Sequence, residues 1–188
     1  SKINKDTYKE YNKNIFFKKT DLINKKEIKN SLKFIINKAK KIDILINGAG
    51  SNSPKKYLDI SEKDWDFVIN SQLKSTFLSC QIFGNQMLKQ KSGNIINISS
   101  ASAGPPLSKA FAYSAAKSGI KSLTQNLARE WATKGIRVNA LRPGFFPTEW
   151  SMKNFIDEKR KKKILDHTPI RRFGKPSELI TAILFISS

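Results

Sequence analysis

The sequence predicts an α/β fold, a parallel sheet doubly wound by helices. Three observations carry this. Short apolar runs at residues 42–46, 94–99 and 136–141 read as buried strands. Longer segments between them place apolar residues at helical spacing. The turns Asn47-Gly-Ala-Gly50 and Pro143-Gly144 follow two of the strands, at the ends where open α/β sheets bind ligands.

Residues 1–13 are polar and lysine-rich and read as a helix end or loop. Asn14-Ile-Phe-Phe-Lys-Lys-Thr-Asp21 begins as a short strand and ends at an acidic residue. Asp21 on its own also reads as a turn or cap residue. Ile28, Leu32, Ile35, Ile36 and Ala39 share one helical face over residues 24–40. Strand 42–46 runs into Asn47-Gly-Ala-Gly50. Ser61-Glu-Lys-Asp64 fits a capping box and opens a helix predicted to run to about Lys89. Strand 94–99 leads into a loop over 101–111, broken by Gly104, Pro105 and Pro106. A helix over 112–133 carries the stripe Leu123, Leu127 and Trp131, a core or subunit contact, and Gly135 caps it. After strand 136–141, residues 149–175 are basic and read as a substrate lid, and a final helix starts at Ser177.

At 188 residues one domain is the default, and 39% hydrophobic content suffices for a core. A lone cysteine, Cys80, excludes an internal disulfide and fits a reducing, cytoplasmic setting. No apolar run approaches membrane-spanning length, so no membrane partner is expected. The net charge of +20 admits a basic nucleic-acid binder as one reading. Compositional bias is the stronger reading. Lysine, asparagine and isoleucine all abound, and only Lys159-Arg-Lys-Lys-Lys163 forms a dense block. No nucleic-acid motif accompanies it, although such a field can draw in an anionic substrate. The single histidine, His167, cannot build a metal cluster, so no metal site is expected.

The chemistry concentrates at Tyr113-Ser-Ala-Ala-Lys117, with Ser100 thirteen residues earlier. Four residues apart on a helix, Tyr113 and Lys117 share a face. An ammonium beside a phenol favours the phenolate, which makes Tyr113 a candidate acid and base. Ser100 ends an apolar strand, so its hydroxyl is expected at the same crevice.

These residues resemble the Ser…Tyr-x-x-x-Lys site of the short-chain dehydrogenase/reductase family. Asn47-Gly-Ala-Gly50, Asn97-Ile-Ser-Ser100, Arg137-Val-Asn-Ala140 and Pro143-Gly-Phe-Phe-Pro-Thr148 follow in family order. The resemblance runs from about Asn14 onward. It implies a Rossmann-like sheet and hydride transfer between NAD or NADP and an alcohol or ketone, without metal. It implies Tyr113 as proton donor and acceptor, Lys117 as its partner and ligand of the nicotinamide ribose, and Ser100 as orienter of the substrate oxygen. Gln72 stands where the family carries a catalytic asparagine, with Asn70 two residues earlier. The implied cofactor contacts are Asp21, Leu22, Asn47, Ala49, Gly50, Tyr113, Lys117, Pro143, Gly144, Phe146 and Thr148.

Against the family order 3-2-1-4-5-6 plus a seventh strand, residues 1–188 are expected to form one partial domain holding strands 3 to 6. Strands 1, 2 and 7 and the turn Gly-x-x-x-Gly-x-Gly are expected to be missing, as in a fragment truncated at both ends. Such a chain is expected to hold a nicotinamide cofactor weakly, for want of pyrophosphate donors. The complete protein is expected to be a homo-oligomer. Asn47-Gly-Ala-Gly50, Pro143-Gly-Phe-Phe-Pro-Thr-Glu149 and Thr168-Pro-Ile-Arg-Arg-Phe-Gly174 look like a subgroup acting on sugar acids, with Arg171, Arg172 or Lys153 as carboxylate anchors. The alternatives are a non-catalytic remnant or interaction module of the same fold and, third, the basic nucleic-acid binder.

Overall fold

The computed structural model describes residues 14–147, 152 and 156–188. Its sheet has three parallel strands in chain order: β1 (Ile44–Asn47), β2 (Gly93–Ile98) and β3 (Ile136–Leu141). Ile46 lies opposite Ile96, and Asn97 opposite Ala140. The alternation of a strand sends successive side chains to opposite faces. Ile95 therefore joins Ile28, Leu78, Met87, Trp131, Ile136 and Val138 in the main core, under α1 (Lys25–Ala39), α3 (Ser75–Gln90) and α4 (Phe111–Trp131). Asn94 points the other way, and its amide donates to the Ile186 carbonyl at 2.7 Å. That carbonyl belongs to the last helix, Pro176–Ser187, so helices cover both faces and the sheet is doubly wound.

Local chemistry sets the helix ends. Asn24 caps α1 by accepting from the Lys26 and Glu27 amides. Ser61 and Asp64 form the predicted capping box at the start of α2 (Glu62–Ile69). Gly135 takes φ 79° after α4, where a Cβ would stand 2.3 Å from the Lys91 carbonyl oxygen. Trp131 is core rather than subunit contact. Its ring lies over Gly84 of α3, where a Cβ would sit 2.5 Å from it.

Two sequence expectations need correction. Asn14–Phe17 is not a strand. Among the described residues no strand runs alongside it, and an extended segment becomes a strand only within a ladder. The described sheet thus holds three strands rather than four. The helix expected over 61–89 is two helices, α2 and α3, joined by a π-helical turn at Asn70–Lys74. There Ser75 and Thr76 hydroxyls donate to backbone carbonyls at 71 and 72, satisfying groups that the wider turn releases. The basic segment expected as a lid over residues 149–175 holds a helix that the sequence reading did not set out. Asp157 caps a helix, α5 (Glu158–Asp166), by accepting from the Arg160 amide at 2.7 Å. The final helix, α6, begins at Pro176, whose fixed φ suits a first helical turn.

Candidate functional site

The carboxyl ends of β2 and β3 open onto a cavity of 230 Å³. Ser100 and Tyr113 line one side, and residues 144–147, Ile156 and Arg160 another. Ser100 follows β2 with extended backbone, and its hydroxyl accepts from the Ser102 amide at 3.2 Å. The Tyr113 hydroxyl lies close enough for Ser100 to act against the rise in its pKa. Its neighbours do other work. Ser99 is buried and donates to the Lys117 carbonyl at 2.9 Å, and Ser102 is buried as well. The thirteen-residue spacing thus selects the serine that faces the cavity.

Lys117 sits one turn below Tyr113 on α4. Its Nζ is 5.5 Å from the Tyr113 ring centroid and donates to the Ile98 carbonyl at 2.6 Å. Burial pulls the Lys117 pKa down to about 8. Burial also pushes the Tyr113 phenol above its ordinary value, with the Ser100 hydrogen bond acting against that rise. This corrects the expectation of a phenol lowered by its lysine. The ammonium addresses the strand carbonyl and the ring face, and desolvation is the larger effect on the hydroxyl.

The expected fourth member stands elsewhere. Gln72, on the π turn, donates from its amide to the Ser51 carbonyl at 2.9 Å. Its Oε1 is buried without a hydrogen-bond partner, against Gly50, where a Cβ would stand 2.2 Å away. Gln72 therefore braces the turn after β1 rather than joining the Ser100–Tyr113 pair. Asn47 is likewise tied inward, donating to Asn97 Oδ1 at 2.8 Å and to Cys80 Sγ at 3.3 Å. Ala49 and Gly50 are exposed on the turn itself.

The other expected contacts are distributed. Asp21 is exposed and forms an Asx-type turn to the Ile23 amide at 3.0 Å, while Leu22 packs on the core. Asn24, not Asp21, caps the helix. The Pro143 carbonyl accepts from the Ala101 amide at 2.9 Å and pins the two strand-end loops together. Gly144 and Phe146 line the cavity, and Phe146 rests on Gly174. A Cβ on Gly144 would meet open space. Thr148 and Lys153 lie outside the described residues. Arg171 pairs with Asp166 at 3.3 Å and Arg172 with Glu178 at 2.6 Å, and neither lines the cavity. Among the described residues, the cation that does is Arg160, which was hidden in the dense basic block. Its signal was its place one turn before the lone apolar pair Ile164-Leu165.

A parallel sheet with a serine, a tyrosine and a lysine gathered at its carboxyl ends defines an α/β protein with an acid/base cluster beside a ligand crevice. The short chain dehydrogenase family model matches residues 2–159, and the chain belongs to that family. It is 40% identical over 148 residues to 2-dehydro-3-deoxy-D-gluconate 5-dehydrogenase of Escherichia coli (strain K12), covering 78% of this chain and 58% of that one. It is 37% identical over 162 residues to the 3-oxoacyl-[acyl-carrier-protein] reductase of Thermotoga maritima, covering 86% and 65%. The crystal structure of a gluconate 5-dehydrogenase from Burkholderia cenocepacia J2315, in complex with NADP and tartrate, superposes with a TM-score of 0.85 at 27% identity. That match covers 89% of this chain and 66% of that one. The chain thus spans roughly three fifths to two thirds of the length of these relatives.

The nicotinamide end of a dinucleotide fits the residues present. The cavity wall carries the Ser100 and Tyr113 hydroxyls with a lysine one turn away, and Gly144 leaves open space on the facing wall.

Proposed function

We propose that the protein carrying this chain interconverts a secondary alcohol and a ketone, with NAD or NADP as cofactor and a sugar acid as substrate. The single observation that supports it is the meeting of the Ser100 and Tyr113 hydroxyls at one cavity wall, with Lys117 a turn away. When bound, the nicotinamide supplies or accepts the hydride. In reduction, Tyr113 passes its hydroxyl proton to the substrate oxygen, and in oxidation it takes that proton back. Ser100 hydrogen-bonds the same oxygen and steadies the charge that develops there. Lys117, tied to the Ile98 carbonyl of β2, supplies positive charge near the phenol. Burial keeps Tyr113 protonated at neutral pH, so the reductive direction has its proton donor in place. The subgroup likeness and the gluconate-type relatives favour a sugar acid as substrate. A homo-oligomeric, cytoplasmic protein without a specific nucleic-acid partner completes this reading, and the buried free thiol of Cys80 suits a reducing compartment.

The test is turnover by the full-length protein. With NADH or NADPH it should reduce a keto sugar acid such as 5-keto-D-gluconate. Tyr113→Phe should lower kcat by at least about 100-fold, while cofactor binding, followed by fluorescence titration, stays within about twofold. Unchanged turnover in Tyr113→Phe rejects the acid/base role. Cofactor binding without turnover of any alcohol or ketone would favour the non-catalytic reading.

A further inference from the structure

Residues 51–56 run past the cavity without forming a helix or a strand. Such a segment has no ladder of its own, so its path depends on the side chains that hold it. Here odd and even positions divide. Asn52 and Pro54 line the cavity together with Ser100 and Tyr113. Ser51, Ser53 and Lys55 are tied to α2 and the π turn instead. The Ser51 amide donates to Ser71 Oγ at 3.2 Å, and the Ser51 carbonyl accepts from the Gln72 amide at 2.9 Å. The Ser53 hydroxyl donates to Asp64 Oδ1 at 2.9 Å, and Lys55 Nζ donates to Asp64 Oδ2 at 2.6 Å.

Asp64 is the third residue of α2, and its carboxylate does two jobs at once. It accepts from the Ser61 hydroxyl and, at 3.3 Å, from the Ser61 amide, which completes the capping box. With Ser53 and Lys55 it receives four donors on two oxygens, which matches the accepting capacity of a carboxylate. The Lys55 ammonium first, then the serine hydroxyls, hold its pKa well below the usual carboxylate range, so it stays ionised. Capping needs only the Ser61 contacts. The other two reach the segment that walls the cavity, and α2 is a firm base for them because its Val68 is fully buried.

We propose that Asp64 is a positioning residue for the reaction: its carboxylate latches Ser53 and Lys55 to α2 and so fixes Asn52 and Pro54 as the wall against which the substrate lies beside Ser100 and Tyr113. Asp64 does not line the cavity and touches no reacting atom, so it acts through the segment it holds. That wall gives a substrate one ring to pack on and one side-chain amide that both donates and accepts. Holding a carbonyl in place is worth much of a rate, since a misplacement of about 1 Å can cost about 100-fold. The role rests on the proposed reading of the cavity as the place of carbonyl reduction.

The experiment separates the latch from the helix cap. Full-length wild type, Asp64→Ala, the double variant Ser53→Ala/Lys55→Met, and Ser61→Ala are assayed on 5-keto-D-gluconate, with hydrogen–deuterium exchange and urea unfolding alongside. Asp64→Ala and the double variant should each lose about 10-fold in kcat/KM, chiefly through KM, because Ser100 and Tyr113 are untouched. Cofactor binding should hold within about twofold. Amides of residues 51–56 should exchange at least about 10-fold faster in both, while those of α4 keep their rates. Ser61→Ala removes the cap alone, so it should lower the urea midpoint and leave KM within about twofold. Returning the cation, as Ser53→Ala/Lys55→Arg, should recover part of the loss. Unchanged KM in both latch variants, or a KM in Ser61→Ala as poor as in Asp64→Ala, would overturn the assignment while leaving the oxidoreductase reading intact. Wild type unable to reduce any keto acid would overturn that reading and the positioning role with it. If Asp64→Ala fails to fold, the double variant, which keeps the capping box whole, decides alone.

Discussion

Lys117 carries an ammonium to a position where only 5% of its surface is exposed. Its pKa in the folded chain is about 8, against an ordinary value of 10.5. Between those two pH values the unfolded chain holds a proton that the folded chain has shed, so stability rises with pH across that window. Below pH 8 the whole penalty is felt, and above 10.5 it is gone. A span of roughly 2.5 pH units at 1.36 kcal/mol each makes the penalty about 3 kcal/mol. Urea unfolding of wild type and Lys117→Met at pH 7 and pH 10 should therefore show wild type gaining about 2 to 3 kcal/mol on the variant at the higher pH. A constant difference would mean that the ammonium is not desolvated. The local spacing of Tyr113 and Lys117 made this pair readable from the sequence, because one helical turn fixes it. The direction of the phenol's shift was not readable, since it depends on burial by residues distant in the chain. Gln72 shows the same limit. Its sequence position matched a pattern, but its amide is committed to Ser51, which only the π turn brings near.

Strands and long helices were legible wherever apolar period and capping chemistry agreed, as at α1, α2, β2 and α4. What escaped was decided by partners rather than by composition. Asn14–Phe17 has strand-like residues and no ladder among the described residues, and the π turn interrupts a segment that contains neither proline nor glycine before residue 84. Helix α5 was masked by its lysines, since its inward face amounts to little more than Ile164 and Arg160. The elements around the site are joined by a polar relay rather than by packing alone. Asn97, fully buried on β2, accepts from the Asn47 amide at 2.8 Å and donates to Thr124 Oγ1 at 2.9 Å. One side chain thus links the end of β1 to α4. Asn97→Leu should cost about 2 to 4 kcal/mol, because it takes one partner each from the half-buried Asn47 amide and the buried Thr124 hydroxyl. Asn126→Ala, on the exposed face of α4, should stay within about 0.5 kcal/mol. Urea melts of both measure this, and equal, small effects would show that the relay does not hold the elements.

Over the whole molecule two opposed forces act, and their balance is testable. The face of the sheet away from α1 and α3 is thinly covered: Ile44 and Ile46 of β1 are 43% and 48% exposed. Ile180, Leu184 and Phe185 of α6 add more exposed apolar surface, with Phe185 at 80%. The outer edge of β1 has no neighbour among the described residues, so its backbone donors and acceptors are open to pairing. Apolar patches and open edges draw copies of a chain together. The net charge of +20 holds them apart. Only the second force is screened by salt. The Debye length falls from about 30 Å at 0.01 M to about 3 Å at 1 M, shorter than the distance over which two such surfaces approach. The 188-residue chain should therefore be monomeric at low ionic strength and self-associate as sodium chloride is raised, with light scattering reporting a rising mass. Ile46→Lys puts a charge on the open strand and should move the onset to higher salt or abolish it, whereas Lys162→Ala, on the far surface of α5, should bring it to lower salt. A mass that stays monomeric up to 1 M would show that the exposed isoleucines and the open edge are too small or too twisted to pair. The repulsion would then have nothing to hold back.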